Sequence, residues 1–419
     1  MNNENAIGRT TAIVNANVFD GENSIGVKTV VLSGETIQSV GDEVPGGAVV
    51  IDAMGKTLLP GLIDSHVHTD MDGLRDALKF GVTTELEMNG HWPAKQRREI
   101  AERTDMADLR TCCMGVTPKG GHPTEYMDSM GNSLIRLYVR FFYPSVETPE
   151  AAVKFVDKQI AGSADYIKVF IEDGSCIGFP GLPVLRDDVL KAAIDEAHSQ
   201  NKLTVVHATT LDAAKKAVDA GIDCLGHLFF DSVPTPELIT KMKAADIFII
   251  PTLVTLSTAF GNNAAELAAD ERVRARLDQK WIDALSRSMN VYPQGKMEDA
   301  YAAIRALKNA GVDILAGSDV SDPLPILGGL AHGASLHHEL RLLVAAGLTP
   351  AEALRAATST PARRFGLVDR GRIAPGARAD LLLVMGDPLT NISDTLSIDA
   401  VWRGGELLSY SRPLGIGPS

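Results

Sequence analysis

The chain has 419 residues, 45% hydrophobic and 22% charged, the balance of a globular protein large enough for one big domain and a small one. Its formal net charge of -13 argues against a nucleic acid or an anionic membrane as partner, because both call for a basic face. No run of about 18 apolar residues suggests a membrane span, and the N-terminus lacks the basic-then-apolar pattern of a secretion signal, so a cytoplasmic protein is expected. Of the four cysteines, Cys112, Cys113, Cys176 and Cys224, the first two are adjacent in an apolar stretch, which suits buried thiols better than a disulfide or a zinc knuckle.

In chain order, residues 1–59 predict β structure. TTAIVNANVFDG, KTVVLSGETIQSVG and GAVVIDAMGKTLL are short β-branched runs separated by Gly and Asp turns. From 60 to 366 the pattern changes to eight short apolar runs: LLPGLIDSHVH, VTTELEMN, LRTCCMGV, DYIKVFIED, LTVVHATT, CLGHLFF, IFIIPTL and DILAGSDV. Segments with apolar residues at helical spacing, such as LRDDVLKAAIDEAHSQN and MEDAYAAIRALKNAG, lie between them. Eight β-then-α units predict a (β/α)8 TIM barrel, and near-continuous apolar runs fit a sheet covered on both faces. Residues 327–366 add helices after the eighth run. Residues 367–419 return to strands in GRIAPGARADLLLVMGD, SIDAVWRGG and ELLSY. Neither end can build a good core alone, so 1–59 and 367–419 are expected to pack together as one small β-sandwich domain.

Function in such a barrel sits at the C-terminal ends of the strands. There the first run ends in His66-Val67-His68, and side chains two apart on a strand share a face. The fourth run carries Lys168, the fifth and sixth end near His207 and His227, and the eighth ends in Asp319. Singly each has a plain structural explanation, such as a core histidine or a helix cap. Jointly, four histidines, a lysine and an aspartate near the ends of the first, fourth, fifth, sixth and eighth runs point to a metal site.

PGLIDSHVH, IKVF, VVHA, LGHLF and GSDV together resemble the binuclear amidohydrolase superfamily, in its prolidase-like and imidazolonepropionase-like branch. The likeness extends to GRIAPGARADLLLVMGDPL and covers nearly the whole chain. It implies that His66, His68 and Asp319 bind one divalent ion and His207 and His227 a second. It also implies a CO2-derived carbamate on Lys168 bridging the two ions, with zinc the usual metal. A hydroxide bridging the metals would attack a carbonyl, and Asp319 would carry the proton to the leaving amine. The expected activity is hydrolysis of a C–N amide bond in a dipeptide, N-acyl amino acid or aryl amide. Ester, lactone or phosphotriester hydrolysis at the same metals, a metal-dependent decarboxylase and a non-catalytic scaffold are the alternatives. A homo-oligomer acting on a small molecule is expected.

Substrate contacts are expected from His122 and Tyr126 in PKGGHPTEY, after the third run, and from His337 among His332, His337 and His338. Glu85 and Glu87 share a face of the second run where relatives usually carry an Arg. They would add carboxylates in or above the barrel, and His91 and Trp92 could line the same pocket. Cys176 is read as a structural or lining thiol.

Overall fold

The computed structural model describes residues 10–408 apart from 130–133, 135, 136, 138, 140 and 141. The expected β structure at 1–9, and the end of ELLSY, lie outside the described residues.

The N-terminal segment forms β1 (Thr11–Phe19), β2 (Ser24–Ser33), β3 (Thr36–Gly41), β4 (Val49–Asp52) and β5 (Lys56–Pro60). Seven short strands follow: β6 (Leu62–Val67), β7 (Val82–Glu87), β8 (Asp108–Thr111), β9 (Ile167–Phe170), β10 (Thr204–His207), β11 (Cys224–Leu225) and β12 (Phe248–Ile249). The C-terminal segment contributes β13 (Leu381–Met385), β14 (Ile398–Arg403) and β15 (Glu406–Leu407).

The two ends of the chain do meet. They form one eight-stranded sheet of order β15-β14-β13-β5-β1-β2-β3, with β4 paired to β1. The junction is the antiparallel pair β5–β13, in register from Leu381 opposite Pro60 to Met385 opposite Lys56. Alternation explains the unbroken apolar run of β13. Leu381 and Leu383 join a core of the sheet itself with Ile13, Leu32, Leu58 and Trp402. Leu382 and Val384 face the other way, into the main core of the central domain.

β6, β7 and β8 form a parallel sheet, and so do β9, β10, β11 and β12. Helices separate them, which is the α/β arrangement of TIM-barrel type. Their starts are legible in sequence. Asp70 caps the helix Met71–Lys79, and Thr148, Thr235 and Thr349 each cap a helix whose first residue is proline. Isolated parallel bridges join the two sheets. Val116 pairs with Val169 on one side; on the other, Ile314 pairs with Ile249 and Val320 with Val67.

The eighth run, expected as a strand, makes only these isolated bridges. Its backbone turns instead of running straight: Ala316 N bonds to Ala356 O, Asp319 N bonds to His66 O, and Asp319 takes φ 55°. A Cβ at Gly317 would lie 2.9 Å from the Cβ of His66, so only glycine lets the run pass this close.

The terminal sheet is tied to the parallel strands of the central domain by a buried ion network. Arg370 contacts Asp108 on β8, with both side chains at most 3% exposed. Arg403 on β14 is fully buried, 3.2 Å from Asp380 and 3.8 Å from the other oxygen of Asp108. Burial pushes the Asp380 carboxyl up to about 6, while Asp108, despite burial, is held below the usual carboxylate range by Arg370 and Arg110. Arg370→Ala removes the guanidinium that hydrogen-bonds buried Asp108 and leaves it with Arg110 at 3.4 Å and Arg403 at 3.8 Å. The expected cost is about 1.5–3 kcal/mol, that of one hydrogen bond to a charged group, read as a lower denaturation midpoint. A midpoint equal to wild type would show that the network does not join the two parts.

Candidate metal centre

β6 delivers His66, and His68 lies one residue past its end. Asp319 reaches both: its Oδ1 is 3.4 Å from His66 Nε2 and 3.3 Å from His68 Nε2. Ligand atoms of these three residues all lie within 4.8 Å of one another. Lys168, fully buried on β9, places Nζ 3.3 Å from His66 Nε2. The His227 ring is 4.5 Å from that of His66, and the His207 ring is 4.6 Å from that of His227. The six residues singled out in the sequence are therefore brought together.

Neighbours set the ring orientations. His66 Nδ1 donates to Gly226 O at 2.8 Å, which leaves Nε2 with its lone pair toward Asp319 and Lys168. His227 Nδ1 lies 2.8 Å from Thr252 Oγ1. Thr252 has φ 48°, a costly conformation for a β-branched residue, and Asp319 shares the left-handed region. Asp64 supports both ends of the cluster, accepting from the His66 amide and from the amide and hydroxyl of Ser318.

Burial disfavours charge here. It holds the His66 and His227 imidazoles well below the usual range, with Lys168 adding to the effect at His66 and His66 adding to it at His227. Burial and the neighbouring His122 bring His207 down to about 4. Lys168 is held down to about 8 by burial. For Asp319 burial works the other way, but His66 and His68 keep its carboxyl below the usual range. His66, His207 and His227 are therefore neutral imidazoles with lone pairs to give, and Asp319 adds a carboxylate beside His66 and His68, the donor chemistry that suits a divalent zinc-like ion.

The cluster forms the floor of a cavity of about 740 Å³ walled by aromatic and apolar residues including Tyr126, Phe170, Phe230 and Trp281. That is within the size range of small-molecule sites. His122 and Tyr126 both line it. His122 engages Glu125 through Nδ1, and its ring stacks on His207 at 4.3 Å and 22°. Tyr126 meets His122 edge to face.

His337 is elsewhere. It is buried away from the cavity, Nε2 bonded to Phe80 O at 2.8 Å and Nδ1 to Thr395 Oγ1 at 2.9 Å, so the expected substrate contact is corrected to a packing role. Both nitrogens are used up because the helix Ala334–Ala345 turns that face toward the protein interior. The cavity histidine of this segment is His332, which lies edge to face with Trp281, its Nδ1 3.4 Å from Glu85 Oε1.

The two glutamates of β7 are buried as their shared face implied, but their partners differ. Glu87 lines the cavity, bonds the Asn89 amide and the Thr111 hydroxyl, and is pushed up to about 7 by burial; Glu85 turns to His332. His91 lines the cavity, whereas Trp92 belongs to the main core. Cys176 is a core thiol, and all four cysteines are free and buried. Sequence reasoning passed over Glu172, whose Oε2 lies 3.0 Å from His207 Nε2. The signal was present as the alternation Lys168, Phe170, Glu172 along and just past β9.

The sequence matches the amidohydrolase family over residues 57–408, and the chain belongs to that family. It is an enzyme, a hydrolase acting on carbon–nitrogen bonds. It is 28% identical to an uncharacterized protein of Mycobacterium tuberculosis over 83% of each chain. It is 25% identical to the imidazolonepropionase of Rhodococcus jostii, over 92% of this chain and 90% of that one. Its fold is that of a Xaa-Pro dipeptidase solved with methionine in its active site, with a TM-score of 0.73, 20% identity and coverage of 95% of this chain and 99% of that one.

His122 and His337 give a paired test. His122→Ala should lower kcat/KM about tenfold or more, the worth of one hydrogen bond of about 1.5 kcal/mol; because it also unpairs the buried Glu125, kcat/KM is the readout that separates it from His337. His337→Ala removes the bond to the Phe80 carbonyl, leaves the Thr395 hydroxyl with Ile392 O alone, and opens a hole in the packing, so it should lower the melting temperature while sparing KM. A reversed pattern would put His337 at the substrate.

Proposed function

We propose that this enzyme hydrolyses a C–N amide bond in a small molecule, a dipeptide, N-acyl amino acid or aryl amide, at a site holding two divalent ions, with zinc as the natural choice. The reading takes residues 60–366 as a closed (β/α)8 barrel and residues 1–59 with 367–419 as a composite β-sandwich packed against it. One ion belongs with His66, His68 and Asp319, the other with His207 and His227. The single observation that carries this is the convergence of His66, His68 and Asp319, all within 4.8 Å, with Lys168 beside them.

Lys168 supports the bridge. It is buried among imidazoles, where a free ammonium would oppose any cation. Its neutral amine can add to carbon dioxide and release a proton, which gives an anionic carbamate with two oxygens to offer. When bound, the ions supply Lewis-acid polarisation of the carbonyl and lower the pKa of the attacking water.

The chain's own residues do the rest. Asp319 Oδ1 stands between His66 and His68, so Oδ2, 4.0 Å from His227 Nδ1, is the oxygen left to take the proton from water and return it to the leaving amine. His122, with Nδ1 engaged by Glu125, has Nε2 to orient the substrate. The aromatic wall of the cavity binds the apolar part of the substrate and excludes water.

The test is a substrate panel on zinc-loaded protein: dipeptides, N-acyl amino acids, aryl amides, lactones and a phosphotriester. Turnover is expected in an amide class. Turnover of lactone or phosphotriester alone would overturn the amide reading. With the substrate found, Asp319→Asn should lose about 10²–10⁴-fold in kcat while keeping its metal content, since Asn presents an oxygen but takes no proton. Near wild-type kcat with both ions bound would move the proton-carrying role to another residue.

A further inference from the structure

Glu172 comes immediately after β9 and is placed by the sheet itself. β9 pairs with β10 so that Phe170 lies opposite His207, and the pairing runs on for one more bond, Ile171 N to His207 O at 2.9 Å. The next side chain therefore stands beside the His207 ring. Its Oε2 is 3.0 Å from His207 Nε2 and also accepts from the Thr209 hydroxyl, and Oε1 accepts from Gly174 N at 2.7 Å. The side chain is 1% exposed. His207 and Thr209 line the cavity, whereas Glu172 is not among the lining residues, so it stands behind the imidazole and out of reach of substrate.

A carboxylate can only accept, so this contact puts the proton of His207 on Nε2 and leaves the lone pair on Nδ1. A second constraint acts on the ring face, where His122 stacks at 4.3 Å. With one edge bonded and one face covered, the imidazole has one orientation and one free nitrogen. The other oriented rings differ: His66 is held by the carbonyl of Gly226 and His227 by the hydroxyl of Thr252, both uncharged. Hydrogen bonding to a carboxylate makes an imidazole a better donor to a metal and fixes its tautomer.

We infer that Glu172 is a positioning residue for the second metal site, holding His207 by Nε2–H so that Nδ1 is presented to the ion. The inference rests on the proposed assignment of His207 and His227 to a second ion. Its consequence is selective, because Glu172 touches none of His66, His68 and Asp319.

The experiment is zinc titration against a chelator of known affinity, with metal content and melting temperature measured on the same samples, for wild type, Glu172→Ala and Glu172→Gln. Wild type is expected to bind two ions. Glu172→Ala should weaken one of them by about 10–100-fold and leave the other unchanged. Glu172→Gln keeps an oxygen for His207 Nε2 without the charge, so it should fall between the two, and it serves as the test if the alanine variant does not fold. Two unchanged affinities in both variants, or equal weakening of both ions, would overturn the positioning role while leaving the two-ion reading intact. Fewer than two ions in saturated wild type would remove that reading and this inference with it.

Discussion

Burial sets the terms at the strand ends that carry this site. Lys168, His66, His207 and His227 are all buried and lie side by side, with Asp319 the carboxylate within reach of His66 and His68. A positive charge on any one of these groups raises the cost of charging the next, because each is desolvated as well as repelled. The imidazoles are therefore neutral at ordinary pH, with lone pairs to give. Much of the surrounding structure serves that arrangement. Gly226 O, Thr252 Oγ1 and Glu172 each fix a ring, and Asp64 braces the backbone that carries His66 and Ser318. Conformational cost gathers at the same place, in the positive φ of Thr252 and Asp319.

The fold makes the cluster possible by bringing distant segments to one rim. Parallel strands end at the same side, so residues 66, 168, 207 and 227 meet although they are far apart in sequence. The eighth run gives up regular pairing at Gly317 to turn Asp319 into that group. At the far end of β8, Asp108 receives Arg370 and Arg403, which ties the terminal sheet to the strands carrying the site. The ion pairs there are buried and shared among several partners, which makes the junction sensitive to loss of any one of them.

Much of this was legible in the sequence, for identifiable reasons. Two-residue spacing on a strand put His66 and His68 on one face, and the βα count put Lys168, His207, His227 and Asp319 in the fourth, fifth, sixth and eighth runs. The pairing of the chain termini followed from their separate shortage of core residues. What periodicity could not supply was direction within a helix or loop. His337 and His332 lie five residues apart in one histidine-rich segment, yet one is bonded on both nitrogens inside the protein and the other opens on the cavity. Glu85 and Glu87 share a face but find different partners, because the residue opposite each is supplied by a remote segment. The eighth run looks like its neighbours in composition, and its departure from strand geometry depends on the close approach of His66 to Gly317, a tertiary fact.

The most direct test of the central claim is X-ray diffraction near the zinc absorption edge from crystals grown with zinc and bicarbonate. The account predicts two anomalous peaks, one within ligand distance of His66, His68 and Asp319 and one within ligand distance of His207 and His227. It also predicts electron density for a carbamate extending from Lys168 Nζ between them. Anomalous peaks absent from these histidines, or an unmodified Lys168 with only one ion bound, would contradict it.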